Sequence, residues 1–188
     1  EIMSSDWSSD VCSSDLRSVA VLLEMTTQLL NLHRLQSGKI EINRDRIDPR
    51  FLTNQIRLSL DQRLREKGIE FRNELPSGEM VEADPALFRE VLFNLLSNAV
   101  KFCAQGDIVT VRKGEGSSLE VADTGVGISA ALLPHLFEKE KKTSTLGTDG
   151  EQGTGLGLPL CKDIMHAHGG EIEEESRVGE GSRFALLF

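Results

Sequence analysis

Asn94, Asn98 and Lys101 stand at i, i+4 and i+7 within the stretch NLLSNAVKF, a spacing that places all three on one face of a helix. Their neighbours Val91, Leu92, Leu95, Leu96 and Ala99 supply the apolar side. A magnesium ion riding on a nucleotide keeps several waters and takes few protein oxygens, so one Asn side-chain carbonyl suits it as a ligand. Asn98 is assigned that role. Lys101, one turn later, can set its ammonium on a phosphate as a point charge. An ordinary amphipathic helix with its polar residues in water shows the same pattern.

A second stretch, DTGVGI at 123–128, follows the apolar residues Leu119, Val121 and Ala122, so Asp123 is expected at a strand end. A carboxylate there can accept a hydrogen bond from an amino group such as that of adenine, and Gly125 and Gly127 let backbone approach a flat ring without a Cβ in between. A plain turn uses the same residue types. A third stretch, GTGLGL at 153–158, leads into the periodic residues Leu158, Leu160, Ile164 and Met165. Amides and the positive end of such a helix suit phosphate oxygens. Two other glycine fingerprints are excluded: the chain has no GxxxxGK[ST], and Gly153, Gly155 and Gly157 follow a polar loop with GxGxG spacing, not the strand-borne GxGxxG.

Between Phe137 and Gly153 lie fifteen residues, EKEKKTSTLGTDGEQ, with Leu146 as the one large apolar side chain. A connection of this length without a core pattern is either disordered or a functional lid; it is read here as a nucleotide lid. Lys139, Lys141 and Lys142 can meet phosphates, although a solvated charge run has the same composition. Phe137 is placed at the lid base, where an ordinary core Phe would look alike. Taken in order, the stretches describe one pocket for a magnesium-bound adenine nucleotide.

These blocks resemble the asparagine box, first glycine box, phenylalanine box and second glycine box of sensor histidine kinases, over roughly residues 17–188. The ending GGEIEEESRVGEGSRFALLF resembles the final hairpin of that family, with Gly181, Ser182 and Phe184 on its terminal glycine motif near the adenine. The resemblance implies an α/β (α+β) Bergerat-type sandwich, a mixed sheet with helices on one face, that binds ATP and magnesium and transfers the γ-phosphoryl to a histidine on a separate dimerising hairpin. It implies Asn98 as magnesium ligand, Asn94 and Lys101 as phosphate-side groups, and Asp123 as adenine acceptor. Backbone contacts fall to Gly125, Gly127, Gly153, Gly155 and Gly157, with Ile128, Phe137, Thr154, Leu156 and Ser182 alongside. Hydrolases sharing this pocket carry a Glu four residues before the magnesium Asn as general base. This chain has Asn94 there, and an amide takes up no proton at neutral pH, so water attack is expected to be slow.

Residues 17–37 carry apolar residues at Val19, Leu22, Leu23, Met25, Leu29, Leu30 and Leu32 and end at Gly38, predicting a helix roughly 31 Å long. It resembles the second helix of the dimerisation hairpin, in a unit spanning 17–38. The family's acceptor histidine belongs on the first helix, before an acidic residue, whereas His33 precedes Arg34; the acceptor role is not transferred to it. Upstream, Ser-Ser-Asp occurs at 4–6, 8–10 and 13–15. Residues 1–16 resemble translated adapter sequence and are set apart from the fold, leaving 39–188 as the catalytic domain of an incomplete kinase.

Apolar residues make up 39% of the 188, with 17 glycines besides, as in folded globular chains. The net charge of −9 argues against a nucleic-acid partner, which needs a basic face. No apolar run approaches a membrane span, so no membrane contact is expected of this portion. Cys12, Cys103 and Cys161 are scattered without CxxC, fitting a reducing cytoplasm and no metal framework. The resemblance implies further partners: the histidine-bearing helix, a response-regulator receiver domain and a second copy of the full-length kinase. Two alternatives stay open, a serine kinase or ATPase of the same superfamily, against which the helix at 17–37 speaks, and a non-catalytic nucleotide-responsive module.

The expected elements are a short strand near Ile40–Ile42, a helix at about 50–66, strands at Ile69–Asn73 and Met80–Ala83, and a helix opened by Asp84-Pro85. A hairpin is expected over Ile108–Arg112 and Ser118–Ala122. His166 and His168 diverge on a helix and precede Gly169-Gly170, which reads as a helix end and not a metal site. Glu173, Glu174 and Glu175 read as a solvated edge.

Overall fold

A computed structural model describes Thr26 and residues 41–138, 145–151 and 153–188. The helix expected over 17–37, the Ser-Ser-Asp repeats and Lys139, Lys141 and Lys142 lie outside the described residues, Thr26 apart, which is helical.

The helices start where local chemistry prescribes. In α1 (Pro49–Lys67) the Asp48 side chain accepts the Phe51 N–H, Pro49 takes the first helical position, and Gly68 closes the helix at φ 65. In α2 (Pro85–Phe102) Asp84 accepts from the Ala86 and Leu87 N–H groups ahead of the same Pro device. Leu52, Ile56, Leu60 and Leu64 of α1 are buried, as are Val91, Leu92, Leu95 and Leu96 of α2. The third helix, α3 (Gly157–Ala167), buries Leu160, Ile164 and Met165.

Five strands form one sheet in the order β2 (Glu70–Asn73), β4 (Ile108–Lys113), β5 (Leu119–Asp123), β7 (Gly181–Leu187), β6 (Glu171–Arg177). Only β2 and β4 run parallel, so the sheet is mixed. Register puts Val111, Val121 and Phe184 abreast on the face packed in the core. The opposite face carries a charge ladder in which Glu120 meets Arg112 and Arg183, and Arg183 meets Glu175. β6 is an edge strand with Glu173 and Glu175 exposed and Glu174 half-buried, in keeping with the solvated edge expected there.

A separate two-stranded ribbon pairs β1 (Asp45–Ile47) with β3 (Val81–Ala83). This corrects the strand expected at Ile40–Ile42, since Glu41 and Ile42 are not in a strand. The partner decides the register: Asp45 pairs with Ala83, and a residue further back would face Asp84, already committed to capping α2.

His168 closes α3 from the core side. Its Nδ1–H donates to the Ile164 carbonyl at 2.8 Å, and Nε2 accepts the Asp84 N–H at 2.9 Å. This imidazole ties the end of α3 to the start of α2, the helix-end role expected of it. Cys103 and Cys161 are free and buried, and burial pushes both thiols up, Cys103 to about 12.

Candidate nucleotide-binding site

A cavity of about 780 Å³ is lined by Asn94, Asn98 and Lys101 of α2, Asp123 at the end of β5, and Gly153, Thr154, Gly155 and Gly157 leading into α3. Gly127, Ile128, Ser182 and Phe184 also lie on its wall. Gly125, Phe137, Leu156 and Gly181, also expected at the site, are not among its lining residues. Phe137 is partly buried against the core, with the Lys162 ammonium 5.3 Å from its ring centre.

Asn94 is 4% exposed, and its Nδ2 donates to the Glu90 carbonyl at 3.0 Å. A Cβ at Gly157 would lie 2.7 Å from Asn94 Oδ1, so glycine is what lets the start of α3 lie against α2 here. Asn98 is half-buried one turn on. Among the described residues no hydrogen bond engages its amide. Lys101 donates to the Thr145 carbonyl at 2.8 Å, and burial holds its ammonium below the usual lysine range against the pull of Glu151.

Burial pushes the Asp123 carboxyl up to about 6, opposed by backbone N–H groups of Gly125 and Ser182 and helped by the charge of Asp107. The Gly125 N–H donates to its Oδ1 at 2.9 Å. The loop that follows is held at several points. Val126 donates to the Phe102 carbonyl at 3.1 Å, Gly179 to the Val126 carbonyl at 2.9 Å, and Ile128 to Ser176 Oγ at 2.8 Å. Gly127 has φ 67, and a Cβ there would run into the Arg177 carbonyl.

Among the described residues no side-chain hydrogen bond caps α3 at Leu156. Thr154 Oγ1 instead accepts the Leu156 N–H at 3.2 Å, and Gly155 has φ 75. Gly155, Gly157 and Leu158 line the cavity, so the end of α3 that carries its unpaired amides and the positive end of its dipole lies at the cavity wall.

Several wall residues were not expected from the sequence: Ser59, Leu60 and Arg63 of α1, and Leu146 and Glu151 in the stretch before Gly153. Ser176, which joins the loop after Asp123 to the last hairpin, was also missed. Its signal was the alternation of EIEEESR, in which Ile172, Glu174 and Ser176 share the inward face of β6.

A cavity in which Asn, Lys and Asp side chains and glycines stand among apolar residues, set on a mixed sheet, suits an adenine nucleotide, and comparison with known families agrees. The family model described as "Histidine kinase-, DNA gyrase B-, and HSP90-like ATPase" matches residues 83–188. The chain belongs to this family, on its sensor histidine kinase branch. It is 35% identical over 171 residues to the circadian input-output histidine kinase CikA of Synechococcus elongatus, covering 88% of this chain and 23% of that protein. It is 29% identical over 179 residues to the sensor protein SrrB of Staphylococcus aureus, covering 90% of this chain and 31% of that one. This chain thus spans under a third of the length of either relative. Among solved structures, full-length ShkA in complex with AMPPNP superposes with a TM-score of 0.75 at 28% identity, covering 92% of this chain and 37% of that one. No described helix is long and apolar enough to cross a membrane.

Proposed function

We propose that this chain supplies the catalytic step of a two-component kinase, in which the γ-phosphoryl of ATP passes to a histidine on a separate dimerising helix. The observation that carries this reading is that Asn98 and Asp123, from two separate sequence blocks, line the same cavity. Asp123 would accept from the adenine amino group, with Gly125 stiffening the carboxylate from behind. The amides opening α3 and the Lys101 ammonium would take the phosphates.

The chemistry of Asn98 fits magnesium, a hard ion content with one amide oxygen. When bound, magnesium offsets charge on the phosphate oxygens, and phosphoryl transfer depends mainly on such positioning and charge stabilisation. Asn94 stands where hydrolases carry a basic carboxylate, so the γ-phosphoryl is kept for the histidine acceptor. The partners proposed with this reading are the histidine-bearing helix, a response-regulator receiver domain and a second copy of the full-length kinase. The setting is cytoplasmic, with residues 17–38 as part of the dimerisation hairpin and 1–16 as non-native sequence.

Mixing the chain with a separately made helical hairpin bearing a histidine, together with γ-labelled ATP and magnesium, tests this. Acid-labile label on the hairpin is expected. Intact ATP binding with an unlabelled hairpin would favour a nucleotide-responsive interaction module instead.

A further inference from the structure

The C-terminal end of α2 presents carbonyls that the helix itself cannot satisfy, and two segments beside the cavity bond to them. The Phe102 carbonyl takes the Val126 N–H of the loop after Asp123, and the Lys101 carbonyl takes the Thr148 N–H of the lid, each at 3.1 Å. Thr148 Oγ1 donates to the Cys103 carbonyl at 2.7 Å. Into this cluster, from α1, comes Lys67.

The Lys67 side chain is 5% exposed, and its ammonium spends its donors on the Val100 and Lys101 carbonyls, each at 3.0 Å, and on Glu151 Oε1 at 2.9 Å. The other carboxylate oxygen, Oε2, accepts the Asp149 N–H at 2.9 Å, folding residues 147–151 into a tight turn. Burial pushes the Glu151 carboxyl up, but the Lys67 hydrogen bond and backbone N–H groups more than reverse this, leaving it below its ordinary value. The negative end of the α2 dipole favours a cation at this spot as well.

We infer that Lys67 is a positioning residue for the nucleotide phosphates, acting through Glu151 to hold the second leg of the lid against α2. Glu151 lines the cavity and stands two residues before Gly153. Lys101 grips the same leg at Thr145. The two lysines thus hold the 145–151 leg at both of its ends, and the phosphate loop at 153–157 starts from a fixed point. Lys67 does not line the cavity, so it would meet no ligand itself.

The inference rests on the nucleotide reading above, and binding by the 188-residue chain tests the two separately. Glu151→Gln, Lys67→Met and the double variant are each titrated with ATP and with adenosine, beside thermal melts without nucleotide. Glu151→Gln is the milder change, since it leaves the Lys67 bonds to the α2 carbonyls in place. Each single variant is expected to bind ATP about tenfold more weakly, with adenosine binding within about twofold of wild type and the double variant no worse than Lys67→Met. An unchanged ATP affinity with lowered melting temperature, or equal losses for ATP and adenosine, would overturn the positioning role. A wild-type chain that binds neither ligand would overturn the nucleotide reading beneath it.

Discussion

Asp123 on β5 and Ser182 on β7 are register partners at one end of the sheet, and both line the same cavity. That position buries a carboxylate, and the protein bears the cost in the absence of a ligand. The Asp123 carboxyl is raised from 3.8 to about 6, so the folded state binds its proton more tightly than the unfolded chain does. The associated stability is present in full below the unfolded value and is lost as pH rises through the folded one. Asp123→Asn removes the buried charge. The variant is expected to melt above wild type at about pH 8 and to converge with it near pH 4. Equal melting temperatures at the higher pH would show that burial does not strain this carboxylate.

Gly127 and Gly78 separate two costs that glycine avoids. Both have positive φ, 67 and 81, but a Cβ at Gly78 would meet open space, whereas one at Gly127 would meet the Arg177 carbonyl. Gly78→Ala should cost about 1 kcal/mol for its backbone conformation alone. Gly127→Ala should cost at least about twice that, because the loop must also part from the last hairpin. Chemical denaturation of both variants checks the ordering, and equal losses would mean that the loop yields freely.

His168 bonds at both ring nitrogens, to Ile164 in its own helix and to Asp84 at the head of α2. His168→Ala should destabilise the fold by about 2 kcal/mol, the loss of a buried pair of hydrogen bonds and of packing. Equilibrium unfolding measures it. A loss within experimental scatter would reduce the imidazole to filler.

What could be read in the sequence divides by the range of the interactions involved. Both long helices are set by local chemistry, the second announced in the sequence by Asp84-Pro85 and the first capped by Asp48-Pro49, a pair not noted in the sequence. The β4–β5 hairpin was legible because its two strands are neighbours in sequence, joined by a short glycine-bearing turn. The first strand was misplaced because its register depends on β3, over thirty residues away. In the site, Asn98, Asp123 and the glycines announced themselves by type and spacing. Lys67, Ser176 and Arg63 did not, because each owes its place to chain folded from elsewhere. Lys67 meets Glu151 across 84 positions of sequence, and nothing in REKGIE marks it as different from any exposed lysine.

Asn94→Glu probes why the site would spare ATP from water. The new carboxylate would stand beside Glu90, which already lies 3.4 Å from the Asn94 amide, and a like charge nearby raises a carboxyl towards the range of a useful base. Phosphate release should rise by about tenfold, less than a well-positioned general base provides. Asn94→Gln serves as the control for size. Identical turnover in the two variants would deny Asn94 a part in protecting the γ-phosphoryl.

The central claim, one cavity in which Asp123 reads the purine beside phosphates held from α2 and α3, is tested most directly by calorimetry with ATP and GTP in the presence of magnesium. Wild type should bind ATP at one site per chain and strongly prefer it to GTP. Asp123→Asn should keep its fold and lose that preference. An Asp123→Asn chain that still tells ATP from GTP as wild type does would contradict the account.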